Sequence, residues 1–552
     1  MKNHRSLLAG TAFALAAFVP GAFAAPRGAT YEHVLMISVD GLHAVDLSNY
    51  IASHKKSTLA ALAGNGIHYP NALTTAPSDS FPGLLAPTTG GTSRSTGVFY
   101  DDSYDRSLFA PKSTGADCSG PPGAETVYAE NIDKDLTDVT AGGTLGDPLS
   151  QIDPKQLPQT LAGGKCLPVL PHEFINVNTI FEVIRSHGGR TAWADKHPAY
   201  EILNGPSGQG VQDLYTPEVN SNDPITNQDT TTGYCSIQRN DVLKVQAVLN
   251  EIKGLLSTGD TPQGGPHVPT IFGMNFQAVS VSQKLAHANK NDQFVNSGLP
   301  FPWTSQSESL LVLQPGTPPG SLQCNDTAKL VGGYNNADGS ELSTGLQYGL
   351  DFVDYELGQI LKALQTAKLD KGTLVIIEAK HGQSPIDVTL KQDFDDSPYD
   401  ATPGFGPNGS KTTDDVALVW LSPQMQKGSY KAAEAYLSSQ ATTLGIETLL
   451  GKSALAPLYG NPFGNNRTPD FIAVTIHGLI YTHGTKLAEH GGFAKDDRNV
   501  ALLVSNPSII GAINNDDVET RQIAATILDV LGINSKELEG ARRENSKPLP
   551  GL

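Results

Sequence analysis

The 552-residue chain predicts an α/β protein with a parallel-type central sheet, helices on both faces and long loop insertions. Three observations predict it. Short, uniformly apolar runs recur along the chain, as strands buried on both faces require. Stretches with apolar residues at helical spacing separate them, and strands that alternate with helices imply parallel pairing. Hydrophobic residues make up 39% and charged residues only 17% of the chain, which is too apolar and too weakly charged for disorder. The 56 Gly and 37 Pro follow no Gly-X-Y period, so a collagen-like chain is excluded as well.

The elements follow in order. The first apolar run, at 33–39 (HVLMISV), stops at Asp40-Gly41. A helical stretch at 57–64 ends in Gly64-Asn65-Gly66. Another, at 178–187, precedes the cluster Trp193-Ala194-Asp195-Lys196-His197. Further strand-like runs occupy 269–276, 373–377, 416–421, 471–476 and 500–504. Helices are expected at 343–365, where Leu, Phe, Val and Ile recur at helical spacing, and at 431–444 and 518–531. Segments 101–170, 204–268 and 290–335 are rich in turn residues and lack clear periodicity. They read as insertions on one large α/β domain spanning 25–552.

Residues 1–24 have the layout of a secretory signal. Lys2 and Arg5 precede an apolar run at 7–19, and Pro20 leads to Ala22-Phe23-Ala24 at the expected cut. That run is too short for a bilayer core of about 30 Å, so an exported, periplasmic or secreted protein without a transmembrane segment is expected. Its removal would leave the chain two charges more negative than its formal −18. Such a balance argues against duplex nucleic acid, which needs a basic face. It does not exclude a small anionic substrate, because a metal or a few cationic groups reverse the sign locally. Cys118, Cys166, Cys235 and Cys324 form an even set without a Cys-x-x-Cys pair, which in an exported chain reads as two disulfides. Three pairings are open, with Cys118–Cys166 and Cys235–Cys324 favoured. Oligomeric state is not legible.

Reactive groups of open α/β sheets collect at the carboxyl ends of the strands. Asp40 follows the first run, Lys380-His381-Gly382 follow the 373–377 run, and His490-Gly491-Gly492 precede the 500–504 run. Ser80-Phe81-Pro82 opens an apolar segment, where Ser80 reads first as a helix cap. In this order and strand context, Asp40-Gly41, Asp79-Ser80-Phe81-Pro82, Phe352-Val353-Asp354, Lys380-His381-Gly382, Arg467-Thr468-Pro469-Asp470 and Glu489-His490-Gly491 resemble the alkaline-phosphatase superfamily. Within it, they resemble the type I phosphodiesterase/nucleotide pyrophosphatase family. The resemblance implies an alkaline-phosphatase-like fold and an exported phosphoric-ester hydrolase acting on a small anionic phosphoester. Ser80 would be the nucleophile, and Asp40, Ser80, His381 and His490 would bind one or two zinc ions.

The chain departs from the family pattern in three places. Lys380 stands where the family has a metal-binding Asp, Gln277 and Val281 stand where it has an Asp and a His, and Gly83 replaces an Asn. One inherited metal site would keep Asp40, Ser80 and His381; the other would keep only His490, too few ligands for stable zinc binding. Lys380 is therefore read as replacing part of one metal's charge close to Ser80, the alternative being a solvent-facing side chain or a pair with Glu378. The Trp193–His197 cluster reads as a salt-bridged surface turn, with substitute ligands or substrate contacts as the alternative. Asp101-Asp102 reads as a solvated turn. Two other functions stay open: a pseudoenzyme of the same fold that binds an anion or a partner, and a sulfatase-like hydrolase, against which Leu84 stands where an Arg is needed.

Overall fold

The computed structural model describes residues 31–112, 115–127, 131–223, 226–287, 330–481 and 484–552. The signal-like segment 1–24, most of the 290–335 insertion and Cys324 lie outside the described residues. The core is an eight-stranded sheet built from β1 (His33–Val39), β2 (Gly66–His68), β3 (Ala192–Ala194), β4 (Asp213–Tyr215), β5 (Ile271–Phe276), β6 (Thr373–Glu378), β7 (Leu502–Ser505) and β8 (Ala512–Ile513). Their order across the sheet is β8-β2-β7-β6-β1-β5-β3-β4. β1 lies between β5 and β6 and is parallel to both, and β3 and β4 continue the parallel half. β7 runs antiparallel to its neighbours β6 and β2, so the expected parallel sheet is mixed at one side.

Alternation along β1 shows why its run is apolar throughout. Val34 and Met36 enter one core with Phe81, Leu84 and Ile527, while Leu35, Ile37 and Val39 enter another with Leu346, Leu350 and Val353. A strand with a core on each face has no solvent side on which to place polar residues. The first core is covered by the helices Ser80–Thr89 and Gln522–Val530, the second by Thr344–Ala367 and Tyr234–Ile252. Helices on both faces are thus as expected.

The long helix begins where the sequence places it. Ser343 is its N-cap and accepts a hydrogen bond from the Leu346 N–H at 3.2 Å. An N-cap side chain satisfies one of the otherwise orphaned first-turn donors. Ser343→Ala should therefore destabilise the protein by about 1 kcal/mol, measured as a lowered denaturation midpoint, with activity unchanged.

Two expectations need correction. The runs at 416–421 and 471–476 do not join the central sheet. Val416–Trp420 and Phe471–Thr475 pair antiparallel in a separate four-stranded sheet with Ser410–Thr413 and Ile446–Leu450. Both are largely buried and mostly apolar, and pairing direction leaves no mark in such a run. Second, the 204–268 segment contains the 19-residue helix Tyr234–Ile252. This helix buries Gln238, Arg239, Asn240, Asp241, Lys244 and Glu251, so its apolar periodicity is masked by polar side chains that are nonetheless inside. In the 101–170 segment, Cys118 and Cys166 form the favoured disulfide, with Cα atoms 5.5 Å apart.

Candidate active site

Four strand ends converge on one point. Asp40 directly follows β1, Asn275 is the last residue but one of β5 and Gln277 follows it, Lys380 and His381 follow β6, and Asp195-Lys196 follow β3. All four strands are parallel, so their carboxyl ends open on the same edge, as in α/β enzymes generally. Ser80 arrives from outside the sheet as the first residue of the helix Ser80–Thr89. Asp79, not Ser80, is the N-cap, its carboxylate accepting from Phe81 N–H at 3.1 Å. The Ser80 hydroxyl is therefore released from capping. Gly83 lets this helix approach closely, since a Cβ there would stand 2.1 Å from the Lys380 carbonyl oxygen.

The Ser80 hydroxyl meets a base and a cation. Its Oγ lies 3.3 Å from His381 Nε2 and accepts from Lys196 Nζ at 3.1 Å. The His381 ring is oriented by Nδ1, which donates to the Gly382 carbonyl at 2.8 Å. With the proton on Nδ1, Nε2 carries the lone pair and can accept from Ser80. Burial pushes the His381 pKa down, against the opposing pull of Asp40. The His490 ring packs beside it with centroids 4.0 Å apart, and burial together with His381 holds His490 well below its usual range. His490 Nδ1 faces Asp79 Oδ1 at 3.5 Å, and burial pushes Asp79 up to about 7.

Asp40 anchors the cations. Its Oδ1 accepts from Asn275 Nδ2 at 2.7 Å, and its Oδ2 from Gln277 Nε2 at 2.6 Å and Lys196 Nζ at 3.3 Å. Burial alone would raise its pKa, but Lys380 and Lys196 outweigh burial and hold the carboxylate well below the usual range. Lys196 is largely buried, and Asp40 and Asp195 outweigh that burial to keep its ammonium charged. Lys380 is completely buried. Its Nζ donates to Asp195 at 2.9 and 3.2 Å and to the Tyr200 hydroxyl at 3.0 Å, and it stands 3.9 Å from Asp40 Oδ1. Trp193 Nε1 donates to the same Asp195 carboxylate at 2.8 Å. Lys380 therefore neither faces solvent nor turns to Glu378.

The structure brings Asp40, Ser80, His381 and His490 together, as the resemblance implies, but the donor set at Asp40 does not fit zinc. Both Asp40 oxygens already accept from N–H groups, and an ammonium offers donors but no lone pair to a metal. A zinc ion bonded to Ser80 and Asp40 would lie within about 5 Å of the Lys196 ammonium, where like charges repel strongly in a poorly screened interior. The expected second ion would keep only His490, because Gln277 spends its amide on Asp40 and Val281 offers no donor atom. A different grouping has the composition of a metal site. Asp133, His197 and Glu218, all buried, bring three ligand atoms within 4.8 Å of one another, with His197 Nδ1 2.8 Å from Glu218.

Comparison with known proteins agrees with the architecture. The chain superposes on wild-type alkaline phosphatase PafA with a TM-score of 0.51, at 11% identity over 95% of this chain and 99% of that one. The chain therefore has an alkaline-phosphatase-like fold. Murine ectonucleotide pyrophosphatase / phosphodiesterase 5 also matches in fold, with a TM-score of 0.50, 11% identity and coverage of 91% of this chain and 96% of that one. Residues 34–147 match the model of the type I phosphodiesterase / nucleotide pyrophosphatase family. That stretch holds Asp40 and Ser80 but not Lys196, Lys380, His381 or His490. No curated protein matches the chain in sequence.

Sequence reasoning missed Asp195 and Lys196. The Trp193–His197 cluster is not a surface turn: Asp195 and Trp193 are completely buried, and Lys196 faces the site. The signal was present but short. A three-residue apolar strand after a helix, ending in Asp-Lys-His, is the strand-end pattern that exposed Asp40 and His381.

Proposed function

We propose that the protein is an exported phosphoric-ester hydrolase, acting on phosphodiesters or nucleotide pyrophosphates, with Ser80 as the nucleophile. The observation that carries this reading is the Ser80 hydroxyl itself, poised between His381 Nε2 and Lys196 Nζ at the start of a helix. A helix N-terminus favours an anionic group, and here Asp79 caps it. Near neutral pH, the raised Asp79 carboxyl carries less negative charge against such a group than an exposed carboxylate would.

The surroundings support the size of substrate. Lys196, Gln277 and His490 line a cavity of ≈ 480 Å³, within the range of small-molecule sites. Tyr100, Lys284 and Thr412 form parts of its outer wall. No helix among the described residues is long and apolar enough to cross a membrane, and the Cys118–Cys166 disulfide suits an oxidising compartment.

The reading is tested by trapping the covalent intermediate. Protein mixed with bis(p-nitrophenyl) phosphate and quenched in acid should carry a p-nitrophenyl phosphoryl group on the peptide containing Ser80, one p-nitrophenolate having left, detected by mass spectrometry. Release of p-nitrophenol without any modification of Ser80 would remove Ser80 from the nucleophile's role. Absence of both, with an anion still bound, would favour the pseudoenzyme reading.

A further inference from the structure

We propose that Lys196 is a catalytic residue whose ammonium, anchored on Asp40, stabilises the Ser80 oxygen and the phosphoryl charge in the position a metal ion would otherwise serve. The proposal rests on the phosphoester-hydrolase reading above. Three observations carry it. Lys196 Nζ touches the reacting atom, 3.1 Å from Ser80 Oγ, while its other recorded bond, at 3.3 Å, ties it to Asp40 Oδ2. An ammonium has three donors, so one remains for a phosphoryl oxygen. Lys196 is also the cation of the cluster that reaches the cavity: its side chain is 13% exposed, against none for Lys380.

The third observation is the balance of charge around Asp40. Gln277 replaces a carboxylate, Lys380 adds an ammonium, and the carboxylates of Asp40 and Asp195 are matched by Lys196 and Lys380. A pair of divalent ions needs an acidic surplus, and here it has gone. Lys380 is a positioning residue. It holds Asp195 and stands 3.9 Å from Asp40 Oδ1, without a hydrogen bond to Ser80 among the described residues.

The chemistry balances without an added ion. Ser80 Oγ forms a bond to phosphorus and passes its proton to His381 Nε2. The ester P–O bond breaks, and the departing oxygen keeps the electron pair and takes a proton from solvent at the cavity. Water then attacks phosphorus and gives its proton to solvent, and Ser80 Oγ leaves and recovers the proton held by His381. Lys196 moves no proton; it donates to Ser80 Oγ and to a phosphoryl oxygen throughout.

The test uses the full-length protein and two readouts. With bis(p-nitrophenyl) phosphate, chelation should leave wild-type turnover intact. Lys196→Ala should lower kcat by about 10²–10³-fold, the loss typical of one transition-state donor. Lys196→Arg should keep part of the activity, and methylammonium should partly rescue Lys196→Ala, which a merely structural role would not allow. Circular dichroism establishes that the variants are folded.

The second readout is zinc binding, which needs no turnover. Wild type should hold no zinc that Asp40→Asn removes, whereas Lys196→Ala, relieved of its ammonium, should take up zinc through Asp40. Zinc bound at Asp133, His197 and Glu218 would survive Asp40→Asn and so is told apart. The proposal is overturned by zinc in the wild type that leaves with Asp40→Asn, by chelator-abolished activity that zinc restores, or by an unchanged kcat in Lys196→Ala. A wild type that hydrolyses no phosphoester defeats the functional reading instead, and the zinc comparison still decides the role of the ammonium.

Discussion

Ser80→Ala is expected to reduce phosphodiester turnover by about 10⁴-fold or more, as removal of the nucleophile does in covalent hydrolases. The expectation is local. Ser80 is 1% exposed, and among the described residues its hydroxyl bonds only Lys196 and His381. Asp79, not Ser80, caps the helix, so truncation at Ser80 removes no cap. The variant should therefore fold with near-native stability and still bind inorganic phosphate through the remaining Lys196 ammonium. Steady-state kinetics with phosphate inhibition separate the two effects: kcat should collapse while the phosphate inhibition constant moves little. A similar loss of both would assign Ser80 to binding.

The second large effect concerns stability. Asp195→Ala leaves the Lys380 ammonium completely buried without its direct carboxylate partner, and breaking such a pair from one side costs about 3–5 kcal/mol. Lys380 retains Tyr200, whose hydroxyl accepts at 3.0 Å and whose ring centre lies 4.1 Å from Nζ. It also retains Asp40 at 3.9 Å, so the expected result lies toward the lower end of that range. Burial already presses the Lys380 pKa below its usual value. Loss of Asp195 should lower it further, and the variant should lose stability most at low pH, where the lysine must carry charge. Denaturation midpoints across pH measure this. Replacing both partners, Asp195→Leu with Lys380→Met, should recover much of the lost stability. An Asp195→Ala midpoint equal to wild type would show that the pair is not carrying the burial of Lys380.

Asp40, Ser80 and His381 were legible because each follows a strand or opens a helix with a strong local signature, and His490 because it leads a His-Gly-Gly run ahead of a late strand. The apolar run HVLMISV must end in something, and it ends in Asp40-Gly41, where Gly41 has φ +80°. The two faces of β1 were legible for the same reason, since only a doubly covered strand tolerates an uninterrupted apolar run. Lys196 was not, because its supporting strand is three residues long and the cluster Asp-Lys-His also describes many surface turns. What distinguishes it is burial, and burial of Asp195 depends on Lys380, 185 residues away in sequence. The helix Tyr234–Ile252 was hidden for a related reason. Its inward face carries Asp241, which accepts from the backbone N–H groups of Gln277 and Ala278 at 2.8–3.0 Å and thereby positions the segment after β5. A polar residue used in this way breaks the pattern by which helices are read.

The zinc expectation came from counting retained ligands. Four side chains of the right type do lie together, but a count of ligands omits the cations that arrive beside them. Lys196 and Lys380 supply two positive charges within 3.9 Å of Asp40, and Gln277 fills with an amide the place of a lost carboxylate. Substitutions that look separately like decay are together consistent in charge.

The most direct measurement of the central claim is a crystal structure of the wild-type protein grown with orthovanadate, which takes up the trigonal-bipyramidal shape of phosphoryl transfer. The account predicts vanadium bonded to Ser80 Oγ, with a vanadate oxygen within hydrogen-bond distance of Lys196 Nζ and no metal ion between Asp40 and His381. Vanadate bound away from Ser80, or a metal ion coordinated by Asp40 and His381 with Lys196 displaced, would contradict it.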